Sequence, residues 1–316
     1  EPNMKQVKLG KTDLSVSIIC LGAMRFGARD SKELSFQQMD YFLEQGGNFI
    51  DTANIYAHWY DGGVGGDAEL MIGEWLKARG NRKDVVIASK VGFAYQDVEI
   101  GTSAKQIEEE CEKSLKRMGI ETIDLYYSHN DDRHTPLEES LEAYYQLIRK
   151  GKVRHIGASN FLAWRLAKAN ALAKNNGWEE YCCIQQRYTY LRPRVGTNFG
   201  LQVAVNHDLE DYCRNEPVTL LAYSPLLGGA YVRDDREINP NYLGPDGKAR
   251  LMALHQVARE TGWTINQVVL VWLLQHSPFT LPLVSAGTME QLQENLTAAN
   301  LTLRPEQLQR LEEAGV

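Results

Sequence analysis

No apolar run in the 316 residues approaches the roughly 20 needed to cross a bilayer, so no membrane partner is expected. Positive charge is also short. Lys and Arg number 34 against 41 Asp and Glu, a formal net charge of −7, which argues against nucleic acid or an anionic surface as the main partner. Cysteine is sparse and unpatterned. Cys20, Cys111, Cys182, Cys183 and Cys213 show no C-x-x-C spacing and are odd in number, so neither a disulfide scaffold nor a thiolate metal site is expected. Buried free thiols in a reducing compartment fit better. Glu1 to Lys11 holds no apolar leader-like run, and the expected location is cytoplasmic. The chain also lacks a Pro/Ser-rich linker, an internal repeat and a low-complexity tract, which leaves no reason to divide it.

A hydrophobic content of 43% with 24% charged residues is that of an ordinary globular protein able to bury a large core. Short β-branched runs recur, each followed by a helical pattern: SVSIICLG (15–22), NFIDT (48–52), DVVIASK (84–90), TIDLYYSH (122–129), KVRHIGAS (152–159), CCIQQ (182–186), TLLAYS (219–224) and TLPLVS (280–285). Most are continuously apolar, as strands covered on both faces are. Helix starts are marked by Thr135-Pro136-Leu137-Glu138, by Ser103 with Gln106, and by Thr264 with Gln267. Strand and helix alternating about eight times predicts one (β/α)8 TIM barrel over 1–316. Residues 187–217 and 225–262 break the rhythm. Both follow strands, so both are expected on the C-terminal face, where barrel active sites form.

Four polar side chains sit at or just past consecutive strand ends: Asp51, Tyr56, Lys90 and His129. Singly, each has an ordinary structural role as a turn cap, a packing ring or an ion-pair partner. Jointly they suit proton transfer to a carbonyl. A phenol of pKa about 10 is a poor acid at neutral pH, and a neighbouring ammonium favours its phenolate. Asp51 would hold the lysine and His129 would orient the carbonyl oxygen. The glycine-rich stretch GGVGGD (62–67) invites comparison with a phosphate-binding loop, but no Lys-Ser/Thr closes it. It is expected to let a substrate-side loop bend.

LGKTDLSVSIICLGAMRFG, GGNFIDTANIY, ASK, YYSH, GKVRHIGASNF, CIQQRYTYLR, AYSPL and QENL together resemble the aldo-keto reductase superfamily, in order over nearly the whole chain. IDTANIY and GKVRHIGASNF are the most specific pieces. The resemblance implies a TIM barrel whose bottom is closed by an N-terminal β-hairpin, here KLGKTDLSVS. It implies hydride transfer between NAD(H) or NADP(H) and a small carbonyl or alcohol, without metal, with Asp51, Tyr56, Lys90 and His129 as the catalytic tetrad and Tyr56 as general acid/base. It implies that Ser159, Asn160 and Gln185 meet the nicotinamide carboxamide and that Tyr223 stacks on its ring. Ser224, Leu226 and Gly228 would cover the pyrophosphate, and Gly287, Glu294 and Asn295 would serve the adenosine end.

Two departures refine this. Many NADPH-dependent members carry Lys or Arg after strand eight to hold the 2′-phosphate, but no Lys or Arg lies between Arg259 and Arg304 here, and Glu290 adds negative charge. NAD(H) is therefore expected to serve at least as well as NADP(H), unless a cation from elsewhere supplies the contact. The long segment after Tyr56 brings His58, Trp59 and Tyr60, expected with Met24 to line the substrate mouth. With Arg25, Arg192 and Arg194 they point to a polar substrate such as a sugar. Two other readings remain open: a nucleotide-binding sensor resembling potassium-channel β subunits, and a barrel lyase or isomerase using Lys90 as a Schiff base.

Overall fold

The computed structural model describes residues 3–316. Eight parallel strands close into a barrel: β3 (Cys20–Gly22), β4 (Phe49–Asp51), β5 (Val86–Val91), β6 (Ile123–Ser128), β7 (Val153–Ser159), β8 (Tyr181–Arg187), β9 (Thr219–Tyr223) and β10 (Thr280–Val284), the last pairing with both β9 and β3. Helices lie between them: α1 (Lys32–Glu44), α2 (Asp67–Arg79), α3 (Ala104–Met118), α4 (Leu137–Arg149), α5 (Ala163–Asn176), α6 (His207–Asn215), α7 (Gly247–Thr261), α8 (Ile265–Gln275), then α9 (Met289–Thr297) and α10 (Pro305–Glu313) after β10. The TIM barrel expected from the alternation is therefore present. Every residue of β5 and β6 is buried, which explains runs that are apolar on both faces.

An antiparallel hairpin, β1 (Gln6–Lys8) and β2 (Ser15–Ser17), plugs the N-terminal end. Its Leu9, Leu14 and Val16 join Cys20, Phe49, Val86, Leu125 and Cys182 in one buried cluster. Gly10 makes the fit possible: its φ is 54°, and a Cβ there would fall 2.6 Å from the Cys182 carbonyl oxygen. SVSIICLG proves to be two elements rather than one strand. Asn48 interrupts the ladder, accepting from Ser17 N at 2.7 Å and donating to Ser15 O at 3.0 Å.

The capping boxes at Ser103 and Thr264 form in full, each side chain accepting from the backbone three residues on. Along α3, Ile107, Cys111, Leu115 and Met118 are buried on one helical face, each worth about 1.5–3 kcal/mol over exposure for the larger side chains. Helix α4 begins at Leu137 rather than with a Thr135 cap, because Thr135 Oγ1 donates instead to Asp132 at 2.6 Å. The irregular 225–262 segment contains α7, which has no clean apolar period because a buried Arg250 sits on its inner face. That guanidinium donates to the carbonyl oxygens of Tyr190, Leu311 and Ala314, joining α7 to α10.

His276, just past α8, stacks on Trp272 with ring centroids 4.2 Å apart, and its Nε2 lies 3.1 Å from Thr280 Oγ1. Burial, reinforced by Arg214 and Arg250, pulls its pKa down to about 3. An unfolded histidine titrates at about 6.5, so on acidification the unfolded chain binds this proton first and stability falls from that pH down toward the folded value. His276→Gln is expected to flatten that fall in urea-unfolding midpoints taken across the acidic range. An unchanged pH slope would refute the assignment.

Candidate functional site

Strand geometry assembles the four strand-end residues. Asp51 ends β4, Lys90 lies in β5, and His129 follows β6. Pairing of Asp51 with Ala88 and of Lys90 with Tyr127 sets the three side by side at the C-terminal mouth. Tyr56 comes from the turn after β4. Lys90 is fully buried. Its ammonium is bonded to Asp51 Oδ1 and donates to Thr52 O at 2.9 Å and to the Tyr56 hydroxyl at 2.8 Å. The Tyr56 hydroxyl also lies 3.4 Å from Asp51 Oδ1. The His129 ring stands 6.1 Å from that of Tyr56, centroid to centroid, edge-on.

Burial sets the charge states. It pulls Lys90 below the ordinary lysine value against the opposing pull of Asp51. Burial, then Lys90, pulls His129 well below the usual histidine range, so the imidazole is neutral at physiological pH. Tyr56 is moved opposite to the direction expected from its lysine neighbour: burial first, then the Asp51 carboxylate, push the phenol well above its ordinary value. The ammonium favours phenolate, but desolvation of that anion outweighs it. Tyr56 therefore rests as a proton-bearing group.

The residues expected at the nicotinamide also converge. Ser159 Oγ donates to Gln185 O at 2.8 Å, and Tyr223 donates through its hydroxyl to Asn160 Oδ1 at 2.7 Å. Gln185 Nε2 donates to Asp51 Oδ2 at 3.0 Å, so this cluster is contiguous with the four. Asn160, Ser224 and Leu227 all adopt positive φ, 61°, 50° and 53°. Such backbone costs of order 1–3 kcal/mol per residue outside glycine and gathers at functional sites. Leu226 and Gly228 lie in the same turn, where Gly228 O accepts from Arg236 at 3.1 Å. At the far end, Asn295 Oδ1 is buried without a partner, beside Glu294 at the inner side of α9. An unpartnered buried acceptor and these positive-φ residues fit the binding of a nucleotide.

The three arginines named with the substrate mouth each have partners within the chain. Arg192 pairs with Asp246 at 3.6 Å, and Arg194 packs against Gly244. Arg25 turns toward the turn after β10: a Cβ on Gly287 would lie 2.9 Å from its Nη2, and that nitrogen pairs with Asp30 at 2.8 Å. Of the residues expected at the substrate mouth, Trp59 meets Tyr56 edge-on at 6.0 Å and stands 6.4 Å from Tyr60. Met24 is half-buried against the core and His58 is exposed. Sequence reading missed Phe93, whose ring is 4.4 Å from that of His129. Its position three residues past Lys90, in the loop after β5, was the available signal.

Comparison with known proteins agrees with this geometry. The model of the aldo/keto reductase family matches residues 18–315. The chain is 33% identical to an uncharacterized oxidoreductase, YrpG, of Bacillus subtilis, over 98% of this chain and 95% of the relative. It is 31% identical to the norsolorinic acid reductase stcV of Emericella nidulans, over 95% and 78%. It is 30% identical to an aryl-alcohol dehydrogenase [NADP(+)] of Phanerodontia chrysosporium, over 94% and 82%. A crystal structure of the thermostable aldo-keto reductase Tm1743, in complex with the inhibitor epalrestat, superposes with a TM-score of 0.76 at 27% identity, covering 98% of this chain and 100% of that one.

Removing one member of the buried Lys90–Asp51 pair strands the other. Lys90→Met is expected to destabilise the fold by about 3–5 kcal/mol. The double variant Asp51→Asn/Lys90→Met should recover most of that loss. Thermal and urea unfolding check both, and a single variant as stable as the parent would contradict the account.

Proposed function

The chain belongs to the aldo/keto reductase family, and from that premise we propose that it interconverts an aldehyde or ketone and its alcohol with Tyr56 as the general acid/base. An NAD(P)-dependent oxidoreductase acting on carbonyl compounds needs one group to move a proton while the hydride moves. When bound, the nicotinamide supplies or accepts that hydride. The observation that carries the assignment is the 2.8 Å contact between Lys90 Nζ and the Tyr56 hydroxyl, made inside a desolvated mouth. In reduction, Tyr56 gives its proton to the carbonyl oxygen, and the adjacent ammonium stabilises the phenolate left behind. Asp51 keeps Lys90 aimed. Neutral His129 hydrogen-bonds the carbonyl oxygen and fixes its approach, and Phe93 and Trp59 exclude water beside it. Ser159, Asn160 and Gln185 would hold the carboxamide, Tyr223 the ring, Ser224, Leu226 and Gly228 the pyrophosphate, and Gly287, Glu294 and Asn295 the adenosine.

Tyr56→Phe tests the reading. With a panel of aryl aldehydes, aliphatic aldehydes, ketoses and sugars followed at 340 nm with all four cofactor forms, the variant is expected to lose turnover by about 10²–10⁴-fold and still bind the reduced nucleotide. Full turnover in Tyr56→Phe would sink it. The exposed ring of Trp59 accommodates either an aryl ring or the C–H face of a sugar, and the same panel separates them.

Cofactor choice follows from Arg25. The segment from Ser285 to Asn295 carries no cation of its own, and the guanidinium that reaches it is neutralised by buried Asp30. This supports NAD(H) serving at least as well as NADP(H). Asp30→Asn frees Arg25 for a 2′-phosphate and is expected to raise the NADPH-to-NADH ratio of kcat/KM by about tenfold, equivalent to about 1.4 kcal/mol. An unchanged ratio would dismiss Arg25 as the determinant.

A further inference from the structure

The glycine-rich stretch and the buried polar side chains behind it play no part in the chemistry above. Gly65 and Gly66 hold φ of 90° and 82°, and a Cβ would come within 2.5 Å of the Tyr95 ring at the first and 2.6 Å of Arg117 Nε at the second. Only glycine lets this segment lie against those two side chains.

Both belong to a connected polar circuit. Asn54, between Asp51 and Tyr56, donates from Nδ2 to Glu110 Oε1 at 2.8 Å. The Tyr95 hydroxyl donates to that same oxygen. Arg117 Nη2 donates to the Tyr95 oxygen at 2.8 Å, and its Nη1 pairs with Glu69 Oε1 at 2.9 Å. Glu69 Oε2 accepts from Ser89 Oγ at 2.8 Å, one residue before Lys90. Asn54, Glu69, Ser89, Tyr95 and Glu110 are all buried, and Lys113 closes the outer side of Glu110 at 2.7 Å. The circuit thus starts beside Tyr56 and ends beside Lys90, joining the two by a route separate from their direct bond.

We propose that Asn54 and Glu110 are positioning residues that hold the Tyr56 hydroxyl at Lys90. The proposal rests on Tyr56 being the acid/base. Asn54 sits inside the turn closed by Tyr56 N donating to Ala53 O at 3.2 Å, so releasing its side chain rotates the backbone that aims the phenol. Asn54 Oδ1 is buried without a partner, which leaves the bond to Glu110 to fix the side chain. A half-satisfied buried network costs more than an apolar one, and this one spans α2, β5, α3 and the turn that bears Tyr56.

The test uses the whole chain with reduced nicotinamide and a carbonyl substrate that the parent turns over. Asn54→Leu removes the donor at similar volume and should lower kcat by about 10²-fold, the scale expected for roughly 1 Å of misplacement, with the KM for nucleotide unchanged. Asn54→Asp sets a second carboxyl against Glu110, so one proton shared between them restores the bond at acidic pH. Its kcat should be low in alkaline solution and rise on acidification, a limb absent from the parent. If Asn54→Leu fails to fold, the pH profile of Asn54→Asp decides alone. Parent-like kcat and pH profile in Asn54→Asp, with Tyr56→Phe inactive alongside, would overturn the positioning role. Parent-like turnover in Tyr56→Phe would instead overturn the acid/base assignment.

Discussion

The buried ammonium of Lys90 is the constraint around which the mouth of the barrel is organised. A charge taken out of water needs acceptors from every side, and here they come from three directions: the carboxylate of Asp51, the carbonyl of Thr52 and the phenol of Tyr56. Supplying them fixes the register of β4 on β5, the exit path of the chain from β4, and the place of the first turn beyond it. The geometry proposed for catalysis is thus also the geometry that makes a buried lysine tolerable.

The barrel makes such a site affordable by separating two tasks. Its lower half holds an apolar cluster, closed by the hairpin through Leu9, Leu14 and Val16. Its upper rim carries polar side chains and irregular backbone. Around that rim the proposed substrate side comes from the loops after β4 and β5, and the proposed nucleotide side from the turns after β7 to β10. Gln185 joins the two by donating to Asp51, so the residue expected at the carboxamide also touches the anion that holds Lys90. Desolvation governs the resting state: Tyr56 and His129 are both driven toward their neutral forms, which suits a donor and an orienting group.

The stretch that looked most like a nucleotide loop proves to be a packing device. Gly65 and Gly66 give the Tyr95 ring and Arg117 room to lie against the chain. Arg25 runs the other way. It follows Met24 in sequence and reads as part of the substrate mouth, yet it reaches across to Gly287 and answers to Asp30.

The barrel was legible because burial on both faces leaves continuous apolar strands, a local pattern that needs no knowledge of neighbours. Boundaries blurred where a side chain intervened, as Asn48 does between β2 and β3, or where a buried Arg250 spoils the period of α7. Asp51, Tyr56, Lys90 and His129 could be proposed from sequence alone because each is tied to a strand end, and strand ends of a barrel share one rim. Contacts between Asn54 and Glu110, 56 residues apart, between Gln185 and Asp51, 134 apart, and of Arg25 with the turn at Gly287 left no such trace. Local sequence determined which residues reach the rim. Packing across the rim decided where each long side chain turned and which buried charge it answered, because that depends on partners the chain meets only when folded.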